Sequence, residues 1–259
     1  MSTTFKKRNI FLWLLAVAFL TPIIILFFLS FSKNWRFPAI LPEQFTTENW
    51  SYLFFSSGNI GQSFIVSLTI ALSVACFATL LGFITSKYIA YHKYRKKLLL
   101  LTYFPFALSP VIFALCLKFY FIKMSLIGNV QGIILAQLMI AFPYSVIFFT
   151  GFWSQRIKQF EDLVATLGGT TAYAFRKIVM PIAKSLIMIC FFQCFLISWF
   201  EFGLTSVIGY GKVETLTIKV FQFVTEANIF YAALSCCLLI LPPVILLWFN
   251  KKFIVQTSK

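Results

Sequence analysis

Six long apolar runs constrain this chain more than any other feature. They lie at roughly Ile10–Phe31, Ser63–Ser86, Leu98–Phe121, Gly132–Trp153, Ser185–Thr205 and Ile229–Asn250. About 20 apolar residues in a row cross the hydrocarbon core of a bilayer as a helix. Barrel strands would show short alternating segments, and these runs are continuous. The expected fold is therefore all-α and integral to the membrane, with six transmembrane helices. Composition agrees, since 60% hydrophobic against 11% charged residues leaves too few charges to coat a soluble domain of 259 residues. The first run is too long for a signal-peptide core and no small-residue cleavage pattern follows it, so it reads as a retained span.

The net charge of +15 becomes informative once it is sorted by side. Sixteen of the 22 Lys and Arg residues fall before the first run, between runs two and three, between runs four and five, or after the sixth. Such an excess marks the cytoplasmic side. The expectation is a bacterial inner-membrane protein with both termini in the cytoplasm, and a basic charge that reports topology in place of a nucleic-acid partner. On the outer side, Ser32–Gln62 carries Pro38, Pro42 and the aromatics Trp35, Phe37, Trp50, Tyr52, Phe54 and Phe55. It reads as a structured loop lying at the interface. With no flexible linker or soluble insertion, residues 1–259 form one transmembrane domain.

Little catalytic chemistry is available. Cys76, Cys116, Cys190, Cys194, Cys236 and Cys237 all fall within apolar runs and make no CxxC pair, so they read as packing residues. The one histidine, His92, sits in a basic loop. Gly209-Tyr210-Gly211-Lys212-Val213 lacks the first Gly and the Ser/Thr of a phosphate-binding loop. No metal site, resident cofactor or enzyme activity is expected. An ion-coupled carrier would place ionisable groups inside the membrane, where Glu201 is the one embedded acid. A membrane enzyme or assembly factor would need an acid, His or Cys cluster at a membrane face. The readings left open are a passive channel, an ion-driven carrier for which one acid is thin support, and a membrane subunit powered by another chain.

The segment Ser154–Lys184, SQRIKQFEDLVATLGGTTAYAFRKIVMPIAK, has its own pattern. Phe160, Leu163, Val164 and Leu167 fall at i, i+3, i+4 and i+7, one apolar stripe on a short helix. Gly168 and Gly169 stop that helix. Thr170 or Thr171 can cap a second one, with Phe175, Ile178 and Val179 as its apolar face, and Pro181 is expected to bend the chain before span five. The stripe needs a cover: the bilayer, the bundle or a partner's groove. Asp162-Leu163-Val164, Gly168, Ile178 and Met180-Pro181 stand in the register of the E-A-A-x3-G-x9-I-x-L-P loop. The segment thus resembles the EAA loop of ABC importer permeases, with Gly, Ile and Pro in place, Asp for Glu, Leu and Val for the alanines, and Glu161 as a second acid.

The resemblance covers about residues 61–249 and implies a type I ABC importer permease bundle. It further implies that residues 155–184 form a coupling loop, with Glu161, Asp162, Leu163, Val164, Leu167, Gly168, Ile178 and Pro181 engaging an ABC ATPase dimer that binds the ATP and magnesium. A second permease subunit, identical or different, and an outer solute-binding protein would complete the assembly. Transport would proceed by alternating access, with Gly168 letting the backbone approach its neighbour closely. The stretch Ser198-Trp199-Phe200-Glu201-Phe202-Gly203, with Leu216-Thr217-Ile218-Lys219, resembles the spermidine/putrescine branch. Glu-Phe-Gly also resembles permeases for sulfate, molybdate, ferric iron and thiamine. A polyamine or other organic cation is the expected solute. Glu201, Trp199, Tyr144 and Tyr103 are the pathway candidates, Glu201 reading equally as a cation partner or as a structural hydrogen-bonding residue. Pro105, Pro110 and Pro143 are expected to interrupt or line spans three and four.

Overall fold

The computed structural model describes residues 2–34, 44–55 and 60–257, nearly all of them helical. Trp35, Phe37, Pro38 and Pro42 of the expected outer loop lie outside the described residues. The chain divides into two compact units, residues 1–65 with 216–242, and residues 66–215 with 243–259.

The first unit begins with α1, Ser2–Ser30, whose apolar side chains from Leu12 to Phe28 are largely exposed, as suits a surface meant for lipid. A short antiparallel pair follows, β1 (Ser32–Asn34) against β2 (Gln44–Phe45), then α2, Glu48–Phe55. Asn49 fastens this segment to the end of α1 by donating to the carbonyls of Ser30 (3.2 Å) and Ser32 (2.9 Å). Lys33 pairs with Glu48 at 2.8 Å, and Phe31 stacks on Trp50. The described part of the loop is thus structured, as its aromatics suggest. α11, Leu216–Thr225, and the beginning of α12, Ile229–Thr257, complete the unit.

In the second unit, α3 (Ile60–Tyr91) turns Ala71, Ala75, Ala78 and Gly82 inward and Leu72, Phe77, Leu81 and Ile84 outward. Small residues let membrane helices approach closely, and at Gly82 a Cβ would overlap the Ser145 side chain. That serine lies on α6, Val130–Thr150, the helix at the centre of the unit. There Ile133, Ala136, Ala141, Val146 and Phe149 are fully buried against α4 (Arg95–Tyr103), α5 (Pro110–Lys123), α9 (Met180–Trp199) and α10 (Gly203–Gly209). Pro143 sits inside α6 without ending it. Cys190 and Cys194 are buried on the α9 face toward α6, in contact with Ser145 and Ala141.

Two expectations about spans are corrected. The third run is not one continuous helix. α4 passes into a 3-10 turn at Phe104–Ala107, and α5 starts after a bend of 97°. The cause is local: a residue before proline is pushed out of the helical region, and Ser109 ahead of Pro110 is extended at φ −61°, ψ 142°. Among the described residues, five helices are therefore long and apolar enough to cross a membrane, or six if the bent pair counts as one span. The fifth run begins and ends earlier than expected, and Pro181 does not break it. Helix is continuous from α8 (Thr171–Ala174) through a π-turn (Phe175–Val179) into α9, and the wider turn accommodates a residue with no N–H to give. The helix stops at Trp199, and α10 is a separate element.

Candidate functional site

Two places gather the residues singled out above. The first is α7, Gln155–Thr166, which with α8 and the π-turn forms the loop between α6 and α9. Its apolar stripe divides in two. Ile157 and Val164 are buried against the bundle and Phe160 half-buried, whereas Leu163 and Leu167 are 56% and 80% exposed. Four residues apart on a helix, those leucines share one face, and the chain itself leaves that face open.

The glycines that end α7 do so for different reasons. Gly168 donates to the Ala165 carbonyl and Gly169 to that of Val164, the paired bonds of a helix terminus closed by a left-handed residue. Gly168 is that residue, at φ +79°, and a Cβ there would meet open space. Close approach, expected at Gly168, falls instead at Gly169, where a Cβ would lie 2.5 Å from Val164 Cγ1. Thr170, and not Thr171, then caps α8 by accepting from the Tyr173 N–H. Ile178 is half-buried and Pro181 exposed.

Of the two acids, Asp162 is exposed and Glu161 is engaged. Lys87 Nζ of α3 lies 2.6 Å from Glu161 Oε1, with the two side chains 37% and 20% exposed. The ammonium also sits over the Trp153 ring, whose Nε1 donates to the buried Ser86 hydroxyl. Phe83 packs against Phe149, Trp153 and Phe175 beneath it. α7 is thereby fastened to the end of α3 by a charged and an aromatic contact.

The second place is a cavity of about 390 Å³ lined by Pro110 and Val111 of the broken span, Gln137 of α6, Ser198 of α9 and Glu201 to Leu204. Glu201 Oε1 accepts from the Leu204 N–H (2.6 Å), and Oε2 from the N–H and hydroxyl of Thr205 (2.9 and 2.8 Å). Ser198 donates to Gln137 Oε1, and Gln137 Nε2 donates to Thr205 Oγ1 at 3.0 Å. Every proton in this chain of bonds points toward the carboxylate, which satisfies the amide of a buried helix and ties α6, α9 and α10 together. Gly203 completes the element, because a Cβ there would lie 2.7 Å from Val111 Cγ2 at the start of α5. Of the other pathway candidates, Trp199 is 2% exposed and stacked on Phe195, so its ring belongs to the core. Tyr144 is half-buried and donates to Gln193 Oε1, and Tyr103 is exposed at the end of α4.

No family model matches the chain. It is 28% identical over 228 residues, 85% of each chain, to the spermidine/putrescine transport system permease protein PotC of Haemophilus influenzae. To the protein of the same name in Escherichia coli K12 it is 26% identical over 211 residues, 78% of this chain and 76% of the other. Its fold matches a solved bacterial ABC transporter involved in the import of the acidic polysaccharide alginate, at a TM-score of 0.72 and 15% identity, covering 97% of this chain and 96% of that one. Sequence and fold together support an ABC importer permease.

Several residues that hold these sites are hard to see in the sequence. Gln137 is the most legible, an amide in the middle of an apolar run that must find partners inside the membrane. Lys87, Trp153 and Ser86 carry no such signal, because each is ordinary for the end of a span. Only the fold brings them to Glu161.

Proposed function

We propose that the permease imports a polyamine-class organic cation by alternating access, powered by a separate ABC ATPase pair that docks on α7. It works beside a second permease subunit and receives its solute from an outer binding protein, with both termini in the cytoplasm. The observation that carries this reading is the open leucine face, Leu163 and Leu167, on a helix held by its opposite face to α3. A short rigid helix with an apolar tip is suited to a partner's groove and to passing that partner's movement to the bundle. The relatives are spermidine/putrescine permeases by name, which favours polyamines, and a cavity with a carboxylate in its wall is compatible with a cationic solute.

The test is to replace Leu163 and Leu167 with Glu together and co-express the variant with a candidate ABC ATPase from the same organism. Membrane insertion should be unchanged, while ATPase co-purification and spermidine uptake in proteoliposomes should be lost. Full co-purification of the ATPase would remove α7 from the docking surface. Sulfate uptake by the wild type without spermidine uptake would leave the docking reading standing and overturn the solute.

A further inference from the structure

The helical end of α3 and the turn into α4 carry a feature the transport cycle does not use. Lys93, Arg95, Lys96 and Lys97 are all exposed within five residues, and no acid occurs between Glu48 and Glu161 in the sequence. Three of these cations occupy the first turn of α4, where the helix dipole opposes positive charge. Below them lies a groove of about 400 Å³ walled by Ile84, Lys87, Tyr88, Tyr91 and His92. Its lower lining is apolar, and Ile84 and Tyr88 are more than half exposed on the outward side of a membrane-spanning helix. Tyr94 stands between the cations, with Lys93 and Lys97 each near its ring.

We propose that this groove holds an anionic phospholipid, its phosphate against the Lys93–Lys97 crown and an acyl chain along Ile84 and Tyr88. The charge complementarity selects the headgroup, and the apolar wall descending along α3 selects a lipid over a free anion. Clusters of four or more cations beside a membrane helix attract anionic headgroups in this way. Lys87 is shared: it lines the groove and pairs with Glu161. The occupant therefore sits one side chain from α7. The inference rests on the chain's place in the membrane and is independent of the solute and of the ATPase.

The test uses the full chain in detergent, titrated with phosphatidylglycerol or phosphatidylcholine and followed by native mass spectrometry and by thermal unfolding. Phosphatidylglycerol should stay bound and raise the unfolding midpoint, and phosphatidylcholine should do neither. Each cation near a membrane surface is worth roughly fivefold. Changing Lys93, Arg95, Lys96 and Lys97 together to Gln should weaken phosphatidylglycerol binding by roughly several hundredfold. Changing Lys251 and Lys252 to Gln, at the far end of the chain, should have little effect. A phosphatidylglycerol with a photoreactive acyl chain should label residues 84–92 of the wild type, a readout that does not depend on the quadruple variant folding. Equal binding of the two lipids, or labelling confined to other helices, would overturn the proposal. So would protection by inorganic phosphate alone equal to that by the lipid, since the site would then recognise a free anion.

Discussion

Replacing Glu201 by Gln separates the two roles open to this residue. In the structure its two oxygens accept three hydrogen bonds, one at Oε1 and two at Oε2. A Gln side chain keeps the shape and loses one acceptor. If its nitrogen takes the Oε1 position, it faces the Leu204 N–H, donor against donor. At the Oε2 position it faces the N–H and hydroxyl of Thr205. Turning that hydroxyl away does not repair the site, because Gln137 already donates to Thr205 Oγ1 and the displaced proton would need a new acceptor. Hydrogen bonds to a charged group contribute about 1.5–3 kcal/mol, and a buried donor left unmade costs a similar amount. The less damaging orientation loses one bond and weakens the others, so the expected destabilisation is about 2–3 kcal/mol.

For a protein of this size that corresponds to roughly 5–10 °C in the unfolding midpoint. The assay is thermal unfolding of wild type, Glu201→Gln and Thr205→Val in the same detergent, with uptake measured in proteoliposomes. Thr205→Val removes one of the three donors and also strands Gln137 Nε2, so its midpoint should fall at least as far as that of Glu201→Gln. Lowered midpoints that track lowered uptake would assign Glu201 to the architecture of α10. An unchanged midpoint in Glu201→Gln with uptake abolished would refute the hydrogen-bond argument and make the carboxylate a partner of the solute.

Two further outcomes follow from the α7 attachment. Lys87→Met and Glu161→Met should each release α7 from α3, and the double variant should be less damaged than the sum. The part-exposed pair sets the coupling energy at about 1 kcal/mol, measured as a double-mutant cycle on unfolding or on ATPase stimulation. Additive effects would show that the 2.6 Å contact contributes nothing. At the end of α7, Gly168→Ala places an L-residue at φ +79° and should cost about 1 kcal/mol, recoverable in part by Asn, which tolerates that conformation. Gly169→Ala should be relieved by Val164→Ala, which deletes the atom 2.5 Å away, whereas Gly168→Ala should not. Equal relief of both by Val164→Ala, read from protease cutting within 155–184, would contradict the assignment of the two glycines to different causes.

How much of this was legible in the sequence depends on the range of the interaction. Gly168, Thr170 and the α7 stripe are local, and period and capping chemistry place them within a residue. The broken third span was half legible. Pro105 and Pro110 announce an interruption, but hydropathy averages over it, so a 97° bend reads as a continuous run. Least legible was the direction of the stripe. Phe160, Leu163, Val164 and Leu167 obey helical spacing together, yet the bundle takes Val164 and leaves Leu163 and Leu167 out. That division depends on how α8 and the π-turn fold back on α7, which no spacing rule contains.

Solute charge is not a property of this fold. The matched transporter imports an acidic polysaccharide, while the relatives matched by sequence are named for polycations. One architecture therefore accommodates solutes of opposite charge, and specificity must reside in the side chains that line the path. In this permease the carboxylate that would attract a cation is also the cap of α10, with three donors already upon it. A solute ammonium reaching Glu201 would have to share lone pairs with those donors or displace the Thr205 hydroxyl. Displacement would loosen α10 from α6 through Gln137. Binding of a cation there and opening of the α6–α10 contact would be one event, and Thr205→Val, which removes the competing donor, should slow release of the solute while leaving docking on α7 untouched.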